Sequence, residues 1–276
     1  MDHASNREKA FLEAYRLSDF ERPSVAADIA VFSLHEKEES CYRKNPRLSL
    51  SLLLIRRGEH PFRDCWALPG GFVRVNETVE ECACREIVEE TNVMPVTLLP
   101  IGLFSEPGRD PRGWIISAAY ACVVNAAHVS VKSGTDAAEA RWFTVKAAEG
   151  EDGCTVELTS GETVLRAILR KRADKLLGTR YDLQESGSLA FDHAKILAAA
   201  LDTLRQEAEN FQLAFDFLPE RFTLSALQQV QEALIGAPLL TANFRRKLAE
   251  YVTETEEYTE GAGHRPAKLY RKREKG

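Results

Sequence analysis

The chain has 276 residues, 44% apolar and 28% charged, with a net charge of −6 at neutral pH. Such a composition fits a folded globular protein of two domains and excludes a disordered chain. No apolar run approaches the roughly 20 residues that span a bilayer, and the charged start MDHASNREKAFLEAY has no signal-peptide core.

The six cysteines (Cys41, Cys65, Cys82, Cys84, Cys122, Cys154) are scattered without zinc-ligand spacing. Reduced thiols and a cytoplasmic location are the expectation.

Residues 7–19 read as a short helix within an N-terminal helical segment, 1–22. Strand-like runs follow at Ser24–Leu34, Ser49–Arg56 and Trp66–Val73. The next stretch, from Glu77 to Glu90, holds six glutamates against one arginine. Asn76 and the Thr78-x-x-Glu81 pair both suit a helix start. Val79, Ala83 and Ile87 form an apolar seam at i, i+4, i+8. Like charges at i, i+4 repel by a few tenths of a kcal/mol, so a merely structural helix would carry Lys or Arg here. Glu86 and Glu90 lie about 40° apart around the helix, with Glu89 about 60° to the other side. A shared face of carboxylates is what Mg²⁺ or Mn²⁺ requires, with substrate phosphate oxygens completing the shell. A solvated acidic face is the alternative.

Beyond the acidic helix, strands are expected at Val96–Phe104, Trp114–Val124, Val129–Lys132 and Ala140–Val145. The intervening GRDPRGW loop offers Arg109, Asp110 and Arg112. Arginine suits bidentate phosphate recognition, and a surface turn with a local ion pair is the competing reading. Trp66 and Phe72 flank Gly70-Gly71 and suit either base stacking or core packing. Residues 146–187 read as an insertion, a hairpin of Thr155–Leu158 and Thr163–Leu169 around Ser160-Gly161. It could roof the site, contact a second subunit or simply decorate the surface. Leu189–Glu209 is a long helix.

Near the C-terminus, Thr223 caps a helix with Leu224, Leu227, Val230 and Leu234, closed by Gly236. Thr241–Val252 is a second helix, with Arg245, Arg246 and Lys247 beside inward Phe244 and Leu248. Thr253–Arg271 alternates and turns at Gly261-Ala262-Gly263. Helix, turn, basic helix and hairpin describe a winged helix. Residues 220–276 hold ten basic and eight acidic side chains, the basic ones concentrated from His264 onward. A helical cap with a solvated basic tail is the competing reading.

These residues carry a resemblance. Gly71-x5-Glu77-x7-Arg85-Glu86-Ile87-x-Glu89-Glu90-x-Asn92-Val93 resembles the Nudix box, agreeing at eight of nine fixed positions. Asn92 replaces the family's Gly, a substitution a left-handed helix cap tolerates.

The resemblance implies an α/β fold: a Nudix α/β/α sandwich followed by a winged-helix domain. The expected boundaries are 23–210 for the Nudix domain, with its insert at about 146–187, and 211–276 for the winged helix. It further implies that Glu77, Arg85, Glu86, Glu89 and Glu90 form the catalytic set. Glu86, Glu89 and Glu90 would ligate Mg²⁺ or Mn²⁺, and an Arg85–Glu77 pair would hold the motif together. Gly70 and Gly71 would let backbone approach the substrate, joined by Arg109 and Arg112. Glu106, Asp136 and Glu139 are candidate general bases.

Pro219–Leu224, Asn243–Leu248, His264–Tyr270 and Leu189–His193 look like segments of Nudix-related transcriptional regulators, which sense ADP-ribose. Under that likeness Arg245, Arg246, Lys247, Arg265 and Lys268 would contact double-stranded DNA, and a two-fold operator would call for a homodimer. Two functions therefore stand. The first is a Mg²⁺-dependent hydrolase of ADP-ribose or a related nucleoside diphosphate, with DNA binding as a second expected activity. The second is a non-catalytic ADP-ribose-responsive repressor. Retention of every charged box position places hydrolysis first.

Overall fold

A computed structural model describes residues 2–36, 48–91, 95–124, 137–150, 153–176, 178–209, 211–259 and 266–273. Helix α1 (Asp2–Ala14) and a 3-10 turn (Leu17–Asp19) precede strands β1 (Ser24–Glu36) and β2 (Leu48–Arg57). The run expected as one strand at Trp66–Val73 is split into β3 (Trp66–Ala67) and β4 (Gly70–Phe72), which pair with β2 and β1 respectively. Pro69 has no N–H to donate, so the ladder breaks there.

Helix α2 (Val79–Thr91) starts at the second of its two expected caps. Thr78 N–H donates to Glu81 Oε2 (2.7 Å) and Glu81 N–H to Thr78 Oγ1 (3.2 Å), a reciprocal capping box. Strands β5 (Thr97–Phe104), β6 (Ile115–Val123), β7 (Ala137–Gly150), β8 (Gly153–Ser160), β9 (Thr163–Asp174) and β10 (Gly178–Glu185) follow. The expected strand Val129–Lys132 lies outside the described residues, as do Asn92, Val93 and the Gly261–Gly263 turn.

The main sheet runs β10-β9-β8-β7-β2-β1-β6-β5, with only β1 and β6 parallel among its paired neighbours. The stretch expected as an inserted hairpin therefore extends the main sheet, and β10 joins it as a strand the sequence reading did not foresee. Val156, Leu158, Leu165, Ala167 and Leu169 are buried in the same cluster as Phe32, Leu52 and Leu54 of the central strands.

Helix α2 covers one face through Cys82, Ala83 and Ile87 against Ala27, Ile29 and Val31. Helix α3 (His193–Ala208) covers the other through Ala194, Ile196, Leu197, Leu201 and Leu204 against Ala30 and Phe32. Alternation along β1 thus feeds two cores, which is why its sequence is apolar without a break. Asp28 interrupts that run, on the α3 side.

The short helix α4 (Gln212–Asp216) leads to α5 (Leu224–Ile235) and α6 (Thr241–Leu248), then to the ribbon β11 (Val252–Tyr258) and β12 (Lys268–Lys272). Thr223 caps α5 through its side chain, and Gly236 closes it at φ 71°. Helix α6 stops earlier than expected because Val252 pairs with Lys272 in the ribbon. These elements form the winged helix. Its buried Leu227, Val230, Phe244, Leu248 and Val252 belong to the α3-side core, and Thr97 Oγ1 of β5 donates to Asp216 of α4 at 2.6 Å.

Candidate functional site

Arg85 is the hub of the acidic helix. Its Nε and Nη2 donate to the two oxygens of Glu77 (2.9 and 2.6 Å), Nη2 also reaches the Phe72 carbonyl (3.3 Å), and Nη1 pairs with Glu89 (3.1 Å) and with Glu86. Hydrogen bonds from Arg85 and the Arg74 backbone pull the Glu77 carboxyl down to about 2. Arg74 adds a 3.4 Å pair with Glu89.

Glu90 points the other way and accepts the Gly70 N–H at 3.0 Å. Burial pushes it up to about 8; the Gly70 bond opposes the rise, while the charge of Glu86 adds to it. Close approach to backbone requires glycine at position 70, whereas at position 71 the neighbour is the movable end of the Glu86 side chain. A Cβ on Gly71 would lie 2.3 Å from Glu86 Oε1, and one on Gly70 would lie 2.3 Å from the Ala27 carbonyl oxygen.

Among the described residues no three His, Cys, Asp or Glu side chains gather as a ready metal cage. The cause is local: Arg85 engages Glu86 and Glu89, while Glu90 is turned onto the glycine loop. In donor chemistry the three carboxylates suit a hard divalent cation, and buried Glu90 beside Glu86 is a pair that a cation would relieve.

A cavity of about 100 Å³ opens beside Gly70, Gly71 and Phe72, and Arg57 and Arg112 line it. Arg112 is half exposed and held bidentately by Asp110 (3.0 and 2.6 Å). Its guanidinium lies 5.1 Å over Phe72 and 5.4 Å over Phe191. Arg57 lies 4.9 Å over Phe191, and its Nε donates to the Pro61 carbonyl at 2.8 Å. Burial and the charge of Arg112 hold Arg57 below the usual arginine value. Arg57, and Arg112 where it stays half exposed beyond its Asp110 pair, offer guanidinium groups of the kind that bind phosphate.

Arg109 departs from its expected role. Its side chain is 4% exposed, with Nε and Nη2 bidentate on Asp192 (3.0 and 2.6 Å) and Nη2 also on Asp28 (3.1 Å). It lines the cavity, but its guanidinium ties β1 to the start of α3 and is not free for a substrate phosphate. Ser117 Oγ donates to Asp28 at 2.6 Å. His193 Nδ1 accepts the Leu68 N–H at 2.9 Å and its Nε2 faces Asp28 at 3.6 Å. Burial alone would raise the Asp28 carboxyl; His193, Arg109 and Ser117 outweigh it and hold the group far below the usual carboxylate range.

The candidate bases lie elsewhere. Glu106 pairs with Lys195 at 2.5 Å, Glu139 pairs with Arg141, neither lines this cavity, and Asp136 is outside the described residues. Trp66 is buried, edge-on to Phe143 at 4.8 Å, whereas Phe72 is exposed at the cavity rim. The site residues that sequence reasoning missed are Asp28 and Arg57, and Phe191 and His193, noted there only within the Leu189–His193 likeness, gain a place in the cavity wall. Asp28 and Arg57 did leave a trace, as charges within or ending apolar strand runs.

On the winged helix, Arg245, Arg246 and Lys247 are exposed while Phe244 and Leu248 face inward. Asn243 accepts from Arg246 at 3.3 Å. Lys268 on the ribbon is paired with Glu254 at 2.8 Å, and Arg265 lies outside the described residues.

An α/β/α sandwich with a glycine loop and acidic helix, sharing a core with a winged helix, defines a Nudix domain fused to a DNA-binding module. Residues 40–170 match the family model described as the NUDIX domain, and residues 214–272 match the one described as the NrtR DNA-binding winged helix domain. The chain is 30% identical to the "ADPR responsive transcriptional repressor NtrR" of Acinetobacter baylyi, over 96% of this chain and 88% of that protein. It therefore belongs to the NrtR family of Nudix-related transcriptional regulators. The Nudix part is also similar to an ADP-ribose pyrophosphatase of Methanocaldococcus jannaschii, at 40% identity over 49% of this chain and 69% of that one. A crystal structure of Shewanella oneidensis NrtR complexed with a 27mer DNA matches with a TM-score of 0.61 and 26% identity, over 90% of this chain and 93% of that chain. No helix among the described residues is long and apolar enough to cross a membrane.

Proposed function

We propose that this chain is a ligand-responsive DNA-binding repressor whose Nudix cavity receives ADP-ribose or a closely related nucleoside diphosphate. One observation carries the reading: α3 begins in the cavity wall, at His193, and continues as a single helix into the core of the winged helix. A ligand that prefers one placement of that wall would shift the placement of the DNA-binding module, because it can bias the equilibrium only by its differential affinity. Sequence alone put hydrolysis first. The likeness to a repressor over 96% of this chain reverses that order.

On this reading the ligand's diphosphate sits over Gly70 and Gly71 against Arg57 and Arg112. Arg245, Arg246 and Lys247 carry the DNA contacts, and two copies of the chain face a two-fold operator. The test is a DNA titration of the purified protein on a duplex selected from a random library, with and without ADP-ribose. Release of the duplex by ADP-ribose is expected. Tight DNA binding that ADP-ribose leaves unchanged would reject the reading.

Hydrolysis is the second reading, favoured by the presence of Glu77, Arg85, Glu86, Glu89 and Glu90 together on and beside α2. A bound Mg²⁺ or Mn²⁺ would supply Lewis-acid stabilisation of the diphosphate's developing charge. Glu86, Glu89 and Glu90 would hold it, the first two released from Arg85, while Glu77 keeps Arg85 in place. Product analysis with ADP-ribose and Mg²⁺ should then give AMP and ribose 5-phosphate, lost in Glu90→Gln. Intact ADP-ribose after prolonged incubation would reject this second activity.

A further inference from the structure

The cavity beside the glycine loop is too small for the ligand proposed above. At about 100 Å³ it accommodates a diphosphate, whereas small-molecule sites usually measure some 300–1,000 Å³. A second cavity of about 360 Å³ adjoins it, and the two share Arg109 and Phe191 in their walls. Phe62, Pro107, Gly108, Pro111 and Leu183 complete the apolar part of that lining.

Two of these residues are strained. Phe62 has φ 60° and Phe191 has φ 53°, the left-handed region that bulky side chains rarely occupy. Their rings are in contact, centroids 4.7 Å apart, and Phe62 remains 39% exposed.

The Phe62 conformation is fixed by its own loop. Arg57 N–H donates to the Cys65 carbonyl (3.0 Å), Asp64 N–H donates to the Arg57 carbonyl (2.9 Å), Cys65 N–H donates to the Phe62 carbonyl (3.1 Å), and Arg57 Nε donates to the Pro61 carbonyl (2.8 Å). Arg56 and Asp64 add an ion pair at 3.2 Å. Strain held by this many bonds is typical of functional positions, where the scaffold over-determines an unfavourable backbone. The result is an exposed aromatic face lining a cavity that shares Arg109 and Phe191 with the wall of the diphosphate site. Burial does not explain it, since a residue held for packing would be covered.

We infer that Phe62, backed by Phe191, is a stacking platform for the nucleobase of a nucleoside diphosphate whose phosphates lie at Arg57 and Arg112. Planar bases stack on aromatic side chains; Pro107, Pro111 and Leu183 give this cavity its apolar walls, while Glu106, Arg109, Asp192 and Lys195 line its polar side. Arg57 links the two cavities directly, since it touches Phe191 with its guanidinium and carries the Phe62 loop on its backbone and Nε. This inference rests on the reading that the diphosphate occupies the glycine-loop cavity.

The experiment uses full-length protein and calorimetric titration with ADP-ribose, ADP and inorganic pyrophosphate. Phe62→Leu should weaken ADP-ribose and ADP by about tenfold to a hundredfold, the range of one lost stacking contact, and leave pyrophosphate unchanged. Phe62→Trp should restore nucleotide affinity. Phe62→Gly, which relieves the left-handed strain, should raise the melting temperature of the free protein while weakening nucleotides as Phe62→Leu does; a packing role would lower both. The platform is overturned if Phe62→Leu binds ADP-ribose as the parent does, or weakens pyrophosphate equally. If ADP binding depends on Phe62 while ADP-ribose fails to bind, the platform stands and ADP-ribose as the ligand falls.

Discussion

Replacing Arg109 by Leu tests whether the buried ion cluster under the cavity is structural. Arg109 is 4% exposed and faces Asp192 and Asp28, whose side chains are 9% and 12% exposed. Removing one partner of a buried ion pair usually costs about 3–5 kcal/mol, because the other charge is left unpaired out of water. Two features place the expected loss near the lower end. Asp28 keeps His193 and Ser117, and Asp192, standing before α3 without capping it, becomes free to accept a helix N–H worth about 1 kcal/mol. A loss of about 3 kcal/mol follows, which lowers a urea midpoint by about 1 M at a slope of roughly 3 kcal/mol/M.

Acid should narrow the difference. Asp28 has a native value below its unfolded one, so its contribution is fully present above about pH 4, the unfolded value, and fades as pH falls through the native value. Without Arg109 that depression shrinks and less is left to lose. Urea unfolding of both proteins at pH 7 and below pH 4 is the assay. A loss under about 1 kcal/mol at pH 7, or a gap that does not shrink in acid, would refute the assignment of Arg109 as an internal bridge.

The remaining expectations concern the loop and the winged helix. Gly70→Ala drives a Cβ into the Ala27 carbonyl, so β4 must shift; a destabilisation of about 1–3 kcal/mol is expected, with weaker ADP-ribose binding by calorimetry, and parent-like values would contradict it. Arg245→Ala with Arg246→Ala should weaken DNA binding and reduce the slope of log K against log salt by about 2, if both contact phosphates. Lys268→Ala should change DNA affinity little by comparison, since Glu254 already neutralises it, and an equally large loss would place the ribbon on the DNA.

The acidic helix was legible because its chemistry is local: Thr78, Glu81, Arg85, Glu86, Glu89 and Glu90 lie within four turns, and one periodicity orders them. The α5 boundaries were legible for the same reason, with Thr223 and Gly236 as explicit caps. What escaped depended on distant partners. Nothing around Arg109 announces that Asp28 and Asp192, 81 and 83 residues away, will engage its guanidinium. Strand β10 carries few apolar side chains and is a strand chiefly because β9 offers it an edge. Helix α6 ends before the apolar Tyr251 and Val252 because the ribbon claims Val252, a preference only the tertiary fold supplies. The left-handed backbone of Phe62 is invisible in the sequence, since a φ value has no signature there except where glycine marks it.

The chain is not assembled as separable beads. Ala30 and Phe32 in the middle of the sheet belong to the same buried cluster as Val230, Phe244 and Val252 in the winged helix, and α3, with nine of its sixteen residues buried, contributes to that same cluster. A truncation after α3 would uncover the side of the helix that shares a core with Leu227, Val230 and Phe244. Exchange of DNA-reading modules between relatives would have to carry α3 along or re-tailor its outward face. The joint between the two halves is then a heritable unit in its own right, and diversification is freest at the exposed tip of α6, where side chains can change without disturbing it.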